Sequence, residues 1–480
     1  MLYTPIRLHP DNPHYFLFRD KPTILFTSGE HYAVVMNKSF DYIKYLDELA
    51  ACGFNHTRVY TGLKRERPGE YSIDGNNLAV EEKDFIGPWP RTDVPGALDG
   101  GNKYDLDKWN DEYFARFRDV LTEAGKRGIE LEIILFGPLH MGGDGVGPWG
   151  ICPMNAANNI NGVGDINFWE FNTLMHPDLV ARQDDYIRKF VHELNEFDNF
   201  HFEICNEPYT KSTNGPMFQG VHTDETMRLA WQQHVADVIW EEESKLPNRH
   251  LISSNYQAGF YTVPKPLDHV DLYSFHYTTP DIVARNYDLG KAIGMNETGI
   301  MEPPDYPGQC WKTVLGGLAL YNLLDYTFTL GHEDGTYEPL PTNPGYTGMT
   351  GPALRAELKV VNEFINSFEF VKMRPAHDLL VYDTGLTPHS YILAEENRQY
   401  AVYHTDTQHS GYGHSINVAL KAEDGEYEVS FIDARTGVVK KTETVCAKEG
   451  RLELWYADPT AYPANHACRN AIRITRVHKE

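Results

Sequence analysis

The chain has 480 residues, enough for a large buried core and two domains. It carries 43 Lys and Arg against 68 Asp and Glu, a formal net charge of −25. That balance argues against a nucleic-acid partner and against docking on an anionic membrane, both of which need clustered basic residues. Hydrophobic residues at 41% and aromatics at 12% exclude a disordered acidic chain. The opening residues include no apolar stretch of signal-peptide length, and no run of about 18 apolar residues follows. The sequence as given therefore reads as cytoplasmic, or as a chain whose leader has been removed. Six cysteines (Cys52, Cys152, Cys205, Cys310, Cys446, Cys468) show no CxxC pairing, which fits reduced structural thiols and gives no zinc signature. Asn37, Asn55 and Asn296 open glycosylation triplets, which carry no weight without a secretion signal.

Over the first 370 residues short apolar runs alternate with helical patterns, the signal for βα units and a parallel sheet. Strands are expected at 24–27, 57–60, 129–136, 200–205, 251–253, 270–275, 292–295 and 326–328. Between them, Ile43, Leu46 and Leu49 recur at helical spacing before Gly53, and Phe114, Phe117, Leu121 and Ala124 do so before Gly128. Tyr186, Ile187, Phe190, Val191 and Leu194 mark a third helix, with further helices expected near 224–244 and 354–367. Eight such repeats predict an α/β fold, a (β/α)8 barrel over 1–370, with an open doubly wound sheet as the alternative. After about residue 371 strand-like runs follow one another with turn residues between them, as at Asp424-Gly425 and Thr436-Gly437. No helical period intervenes, so 371–480 is expected to be a small antiparallel β-sandwich. This segment holds 13 basic and 15 acidic residues, so the acidic surplus belongs to the barrel.

Working residues of a barrel sit where its strands end and on the loops that follow. Asn206-Glu207-Pro208 ends the fourth expected strand, and Asn296-Glu297-Thr298 ends the seventh. Alternation places Glu207 on the inward face with Glu203 and Cys205. A lone glutamate at a strand end is usually solvated or paired with arginine. Two of them across one barrel mouth are what acid/base-assisted glycoside cleavage requires. Several other motifs fail. Gly145 to Gly150 matches GxGxxG without the strand and helix a phosphate site needs, and Pro148 removes an amide. The sequence has no HExxH, P-loop or GxSxG, and no H-x-H pair that would point to a metal.

Asn206-Glu207-Pro208, with Glu297 after strand seven, resembles the acid/base and nucleophile sites of glycoside hydrolase clan A, in its cellulase-like, family-five-like bacterial members. The resemblance implies a retaining hydrolase in which Glu297 is the nucleophile and Glu207 the acid/base. Arg58 matches the clan's arginine beside the nucleophile, and Asn206 its ligand for the sugar 2-hydroxyl. His276 and Tyr277, at the end of strand six, fall where related enzymes keep a ring near the nucleophile. His140, Glu30 and His31, on loops after strands three and one, are expected to bind sugar hydroxyls. Trp149, with Trp89 and Trp169, lies in long loops where a sugar platform or a loop-packing role would fit. Many clan members carry a Trp at the end of strand eight, whereas this chain reads Asp325-Tyr326-Thr327-Phe328-Thr329, with His332 or Glu333 as substitutes. The terminal segment from Tyr400 to Gly437 resembles the sandwich of bacterial cellulase-like barrels, which packs on the barrel.

The expected activity is hydrolysis of an oligo- or polysaccharide, exo-acting on a β-linked neutral sugar, without metal or cofactor. The only partner expected is the carbohydrate substrate, and the sequence sets no oligomeric state. A catalytically inactive sugar-binding barrel and a metal-dependent barrel hydrolase are the alternatives.

Overall fold

A computed structural model describes residues 4–29, 32–139, 146–208, 225–256, 262–263, 265–298, 305–340, 350–383, 390–406, 415–457 and 468–477. Eight parallel strands form one sheet that curls into a nearly closed barrel. In chain order they are Leu25–Phe26, His56–Tyr60, Glu130–Phe136, Phe200–Cys205, Ile252–Tyr256, Leu272–His276, Ala292–Glu297 and Leu320–Tyr321. The first strand pairs with the eighth, and the remainder pair in sequence order down to the second.

The seam between first and second strands has no ladder among the described residues, and Asn55 fills the gap. Its Oδ1 accepts from Phe26 N at 2.8 Å, its Nδ2 donates to Ile24 O at 2.9 Å, and its own N–H donates to Phe26 O. One side-chain amide thus supplies the donor and acceptor that a neighbouring strand would give. Of the other two glycosylation triplets, Asn37 and Asn296 are both buried.

Helices cover the barrel in the expected rhythm, several with an apolar stripe turned inward. Tyr42–Ala51 starts at Asp41, whose carboxylate accepts from Ile43 N and Lys44 N, and buries Tyr45, Leu46 and Leu49. Gly53 then takes φ +75°, a value glycine adopts freely. Asp111–Lys126, Pro177–Leu194, Glu225–Glu243 and Gly351–Ile365 follow, and Tyr306–Leu315 adds a helix the periodicity did not reveal. No helix of the described residues is long and apolar enough to cross a membrane.

Two departures from expectation matter for the site. The eighth strand is Leu320–Tyr321, and 326–328 lies in the loop beyond it. Both runs are short and buried, so only register separates them: Leu320 pairs with Gly294 on one side and Leu25 on the other. The displaced segment is clamped by Arg355, whose Nη1 donates to Asp325 Oδ2 at 3.0 Å and Thr327 Oγ1 at 3.1 Å. The second departure is a three-stranded antiparallel sheet before the barrel, Arg7–Leu8, Phe16–Phe18 and Lys21–Thr23. It packs Phe16 and Phe18 against Leu272, Ala292 and Leu320, which closes the end of the barrel opposite the glutamates.

From Arg374 onward every described strand is antiparallel, in a six-stranded and a three-stranded sheet that enclose their own core. This is a β-sandwich, and it is fastened to the barrel side of the molecule. The Trp311 ring stacks on Tyr403 at 5.2 Å, and its Nε1 donates to Ala434 O at 3.2 Å. Because Asn55 bridges the seam, Asn55→Ala should destabilise the fold by about 1–3 kcal/mol through the groups it leaves unpaired. Chemical denaturation measures this, and a midpoint equal to wild type would contradict the bridging role.

Candidate active site

The site is assembled from residues placed inward by strand alternation, with a register irregularity at the ends of the sixth and seventh strands that lets both Asn296 and Glu297 face the interior. Arg58 lies on the second strand, Glu132 on the third, Glu203 on the fourth, His276 on the sixth, and Asn296 with Glu297 at the end of the seventh. All but Glu297 are wholly buried, and Glu297 is 8% exposed. A charge in such a place survives only with partners. The Arg58 guanidinium supplies them in several directions. Nη2 donates to both oxygens of Glu203 at 2.9 and 3.1 Å and to Asn206 Oδ1 at 2.7 Å. Nη1 reaches Glu297 Oε2 at 3.3 Å and the Tyr32 hydroxyl at 3.2 Å, while Nε lies 3.1 Å from Glu132 Oε2.

Glu297 also accepts hydrogen bonds from two phenols, Tyr277 OH to Oε1 at 2.5 Å and Tyr32 OH to Oε2 at 3.2 Å. Burial alone would push its carboxyl up, but the charge of His276 and of Arg58 and the Tyr277 hydrogen bond outweigh that. Its pKa therefore falls below the usual carboxylate range. The Tyr277 hydroxyl is driven far the other way, by burial and by the charges of Glu297 and Glu207, so it stays a donor.

Glu207 stands just beyond the fourth strand at φ +44°. A left-handed backbone at a glutamate costs about 1–2 kcal/mol and persists only where neighbours enforce it. Asn255 on the fifth strand does so, its Oδ1 accepting the Glu207 N–H at 2.9 Å. The left-handed turn, rather than continued alternation, aims the side chain. Tyr277 repeats the device at φ +49°, its N–H donating to Glu297 O. His276 joins the two glutamates: its Nδ1 lies 2.8 Å from Glu207 Oε1 and 3.6 Å from Glu297 Oε1. One ligand atom from each of Glu207, His276 and Glu297 lies within 4.8 Å of the others, so these three could hold a divalent cation. In this structure the same atoms bond to one another and to Tyr277.

The structure thus brings together Glu207, Glu297, Asn206, Arg58, His276 and Tyr277 from the sequence-predicted set. Glu30, His31 and His140 lie outside the described residues. Trp149 is only 4% exposed and packs on Phe171, and Trp89 is sandwiched between Trp109 and Tyr186. Neither offers an open ring face, because apolar loops fold over both, so the structure gives Trp149 a packing role. Trp169 stays half-buried, edge-on to Phe168. His332 is exposed beside Thr336, and Glu333 accepts from Gly331 N within its own loop. Sequence reasoning missed Tyr32, Glu132 and Asn255. An acidic residue at the inward register of an apolar strand was the signal for Glu132, and no local signal marks the other two.

What the fold and site define is a (β/α)8 barrel whose strand ends hold a glutamate pair around a buried arginine. No protein-family model matches the chain, and no curated protein matches it. Solved structures match in fold. A presumed glycoside hydrolase from Bacteroides vulgatus ATCC 8482 superposes with a TM-score of 0.64 at 14% identity, covering 99% of this chain and 83% of that one. A second protein, named only as a glycoside hydrolase, has a TM-score of 0.59 at 11% identity over 99% and 98% of the two chains. A glycoside hydrolase family 5 protein of the same Bacteroides vulgatus strain gives 0.59 at 11% identity, over 99% and 95%. At these identities the likeness is one of fold, and it runs through barrel and sandwich alike.

The depressed pKa of Glu297 ties stability to pH. A carboxylate held below its unfolded value stabilises the fold at neutral pH, and that contribution is lost as pH falls through the folded pKa. Melting temperatures of wild type and Glu297→Gln should therefore differ at neutral pH, begin to converge near about pH 4, the unfolded range of glutamate, and meet below the folded pKa. A difference that stays constant from neutral to acid would contradict the ionised state of Glu297.

Proposed function

We propose that the chain is a retaining glycoside hydrolase of the clan A type, with residues 1–370 as the catalytic barrel and 371–480 as a packed β-sandwich. The observation that carries the reading is the pairing of Glu207 and Glu297 at the ends of strands four and seven, with oxygens within 4.8 Å of each other and His276 between them. Retaining enzymes keep their carboxyl groups about 5–5.5 Å apart, whereas inverting ones leave about 6.5–9.5 Å for a water. The fold neighbours named as glycoside hydrolases, one of them of family 5, support the same reading.

In this mechanism Glu297, held ionised by Arg58 and Tyr277, attacks the anomeric carbon and forms a glycosyl-enzyme ester. Glu207 gives its proton to the departing oxygen, then takes a proton from the water that breaks the ester. His276 holds Glu207 in reach of both steps. Asn206, whose Oδ1 is committed to Arg58, has its amide N–H2 to donate to the sugar 2-hydroxyl. The acidic barrel favours a neutral sugar, the resemblance to clan A implies a β linkage, and the long loops at 61–107 and 137–177 would wall one end for exo-action. Glu30, His31 and His140 are the proposed hydroxyl ligands on neighbouring loops.

Turnover of aryl glycosides by Glu207→Ala should fall about 10²–10⁴-fold, the usual worth of an acid/base. Glu297→Ala should be the more severe loss, with azide restoring turnover and yielding a glycosyl azide of inverted configuration. Wild-type activity in both variants would refute the assignment. The Glu207–His276–Glu297 triplet also favours a second reading, a metal-dependent barrel hydrolase. Prolonged chelation separates the two: the glycosidase keeps its activity, and the metal enzyme loses it until metal is returned.

A further inference from the structure

Barrels of this kind ordinarily fill their interior with layers of branched apolar side chains. Beneath the glutamate pair this barrel is charged instead. Alternation along the second, third and fourth strands stacks His56 under Arg58, Glu130 under Glu132 and His201 under Glu203, all wholly buried. In the lower layer Glu130 takes Nδ1 of His56 at 2.7 Å and of His201 at 2.6 Å. Burial alone would push His201 down, but Glu130 and Glu132 raise it to about 10, so the His201 imidazole keeps its charge beneath Glu132.

The upper layer grips in two directions. Glu203 and Glu132 both hold Arg58, as described above, and both also accept from Asn296 Nδ2, at 2.6 and 2.8 Å. Asn296 is the strand neighbour of Glu297, and Arg58 is its cation. We infer that Glu132 and Glu203 are positioning residues for the reaction at Glu297, because together they lock Arg58 and the Asn296 side chain into one rigid unit. The inference rests on Glu297 being the nucleophile.

Stability alone does not account for this arrangement. Buried ion clusters can often be replaced by well-packed apolar residues at no cost. Here His56 Nε2, Arg58 Nε, Glu132 Oε2 and His201 Nε2 are all buried without a hydrogen-bond partner. They converge on Glu132, whose oxygens lie 3.5 Å from His56 Nε2 and 3.7 Å from His201 Nε2. Ion pairs held at a buried carboxylate without aligned hydrogen bonds call for a reason beyond packing. Charge alignment around Arg58 supplies one. Burial and the charge of Glu132 hold the Glu203 pKa well above the usual range, while Arg58 keeps Glu132 well below it. The pair grips both donors, Arg58 and Asn296, from two adjacent strands.

The test is kinetic. Glu203→Ala leaves Arg58 Nη2 and Asn296 Nδ2 short of an acceptor, whereas Glu203→Gln retains one. We expect kcat on the best aryl glycoside to fall about 10-fold or more in Glu203→Ala with KM within about 2-fold, and Glu203→Gln to recover most of it. In the double variant Glu132→Gln/Glu203→Gln the charge of Arg58 bears more fully on Glu297, so the acid limb of kcat/KM should move to lower pH. Variants that melt earlier but keep the wild-type kcat and acid limb would overturn the inference. Should Glu203→Ala or the double variant fail to fold, Glu203→Gln beside Asn296→Ala decides: wild-type kcat in Asn296→Ala overturns it, and a loss there with KM unchanged supports it. Glu297→Ala is the control. Full activity in that variant sinks the nucleophile reading, whereas its inactivity beside wild-type kinetics in the Glu132 and Glu203 variants rejects the positioning role alone.

Discussion

The buried guanidinium of Arg58 is the constraint on which the site depends. A cation wholly out of water must be matched by anions, and this one is matched by carboxylates from the third, fourth and seventh strands. Those strands are thereby tied across the interior as well as along their edges. The same contacts hold Glu297 in its charged form, so one interaction serves both the architecture and the chemistry. Removing the cation would leave the carboxyl groups of Glu132, Glu203 and Glu297 in a dry space without their common donor, a larger cost than the loss of any single hydrogen bond.

Around that centre the protein accepts local strain. Glu207 and Tyr277 both take left-handed backbone angles, each at the point where a strand gives way to a loop. In each case the backbone N–H is caught by a group on a neighbouring strand, Asn255 for one and the Glu297 carbonyl for the other. The conformational cost is met by the rigidity of the sheet, and the return is a side chain turned across the barrel mouth. His276 then sits between two carboxyl groups in different surroundings: Glu297 is wrapped by Arg58 and two phenols, while Glu207 bonds to the imidazole.

Much of the fold was legible because it rests on local pattern. The fourth strand lies where its apolar run predicts, and Gly53 and Gly128 stop their helices with the positive φ that glycine permits. Glu207 and Glu297 were legible because proline and the end of an apolar run mark where strands stop. The eighth strand was misplaced because Leu320–Tyr321 and 326–328 are both short, buried and apolar, and only pairing with the first and seventh strands distinguishes them. For Trp149 a long loop left both a sugar platform and a packing role open, and the loop folds back and buries the ring against Phe171. The N-terminal sheet escaped notice because its strands are two or three residues long, too short to show a period.

By itself, the sequence determined which residues could face inward. Alternation through His56-Thr57-Arg58, Glu130-Leu131-Glu132 and His201-Phe202-Glu203 places every charge on one face of its strand, a consequence of the period of two in an extended chain. It also determined which glutamates stand at strand ends. Tertiary structure alone decided that Asn55 closes the barrel seam, that Asn255 and Tyr32 join the site, and that Arg58, 239 residues from Glu297, also grips Glu132 and Glu203. The reason is that strand register and barrel curvature are cooperative properties of the whole sheet. No window of sequence contains the partner strand, and these contacts exist only once all eight are in place.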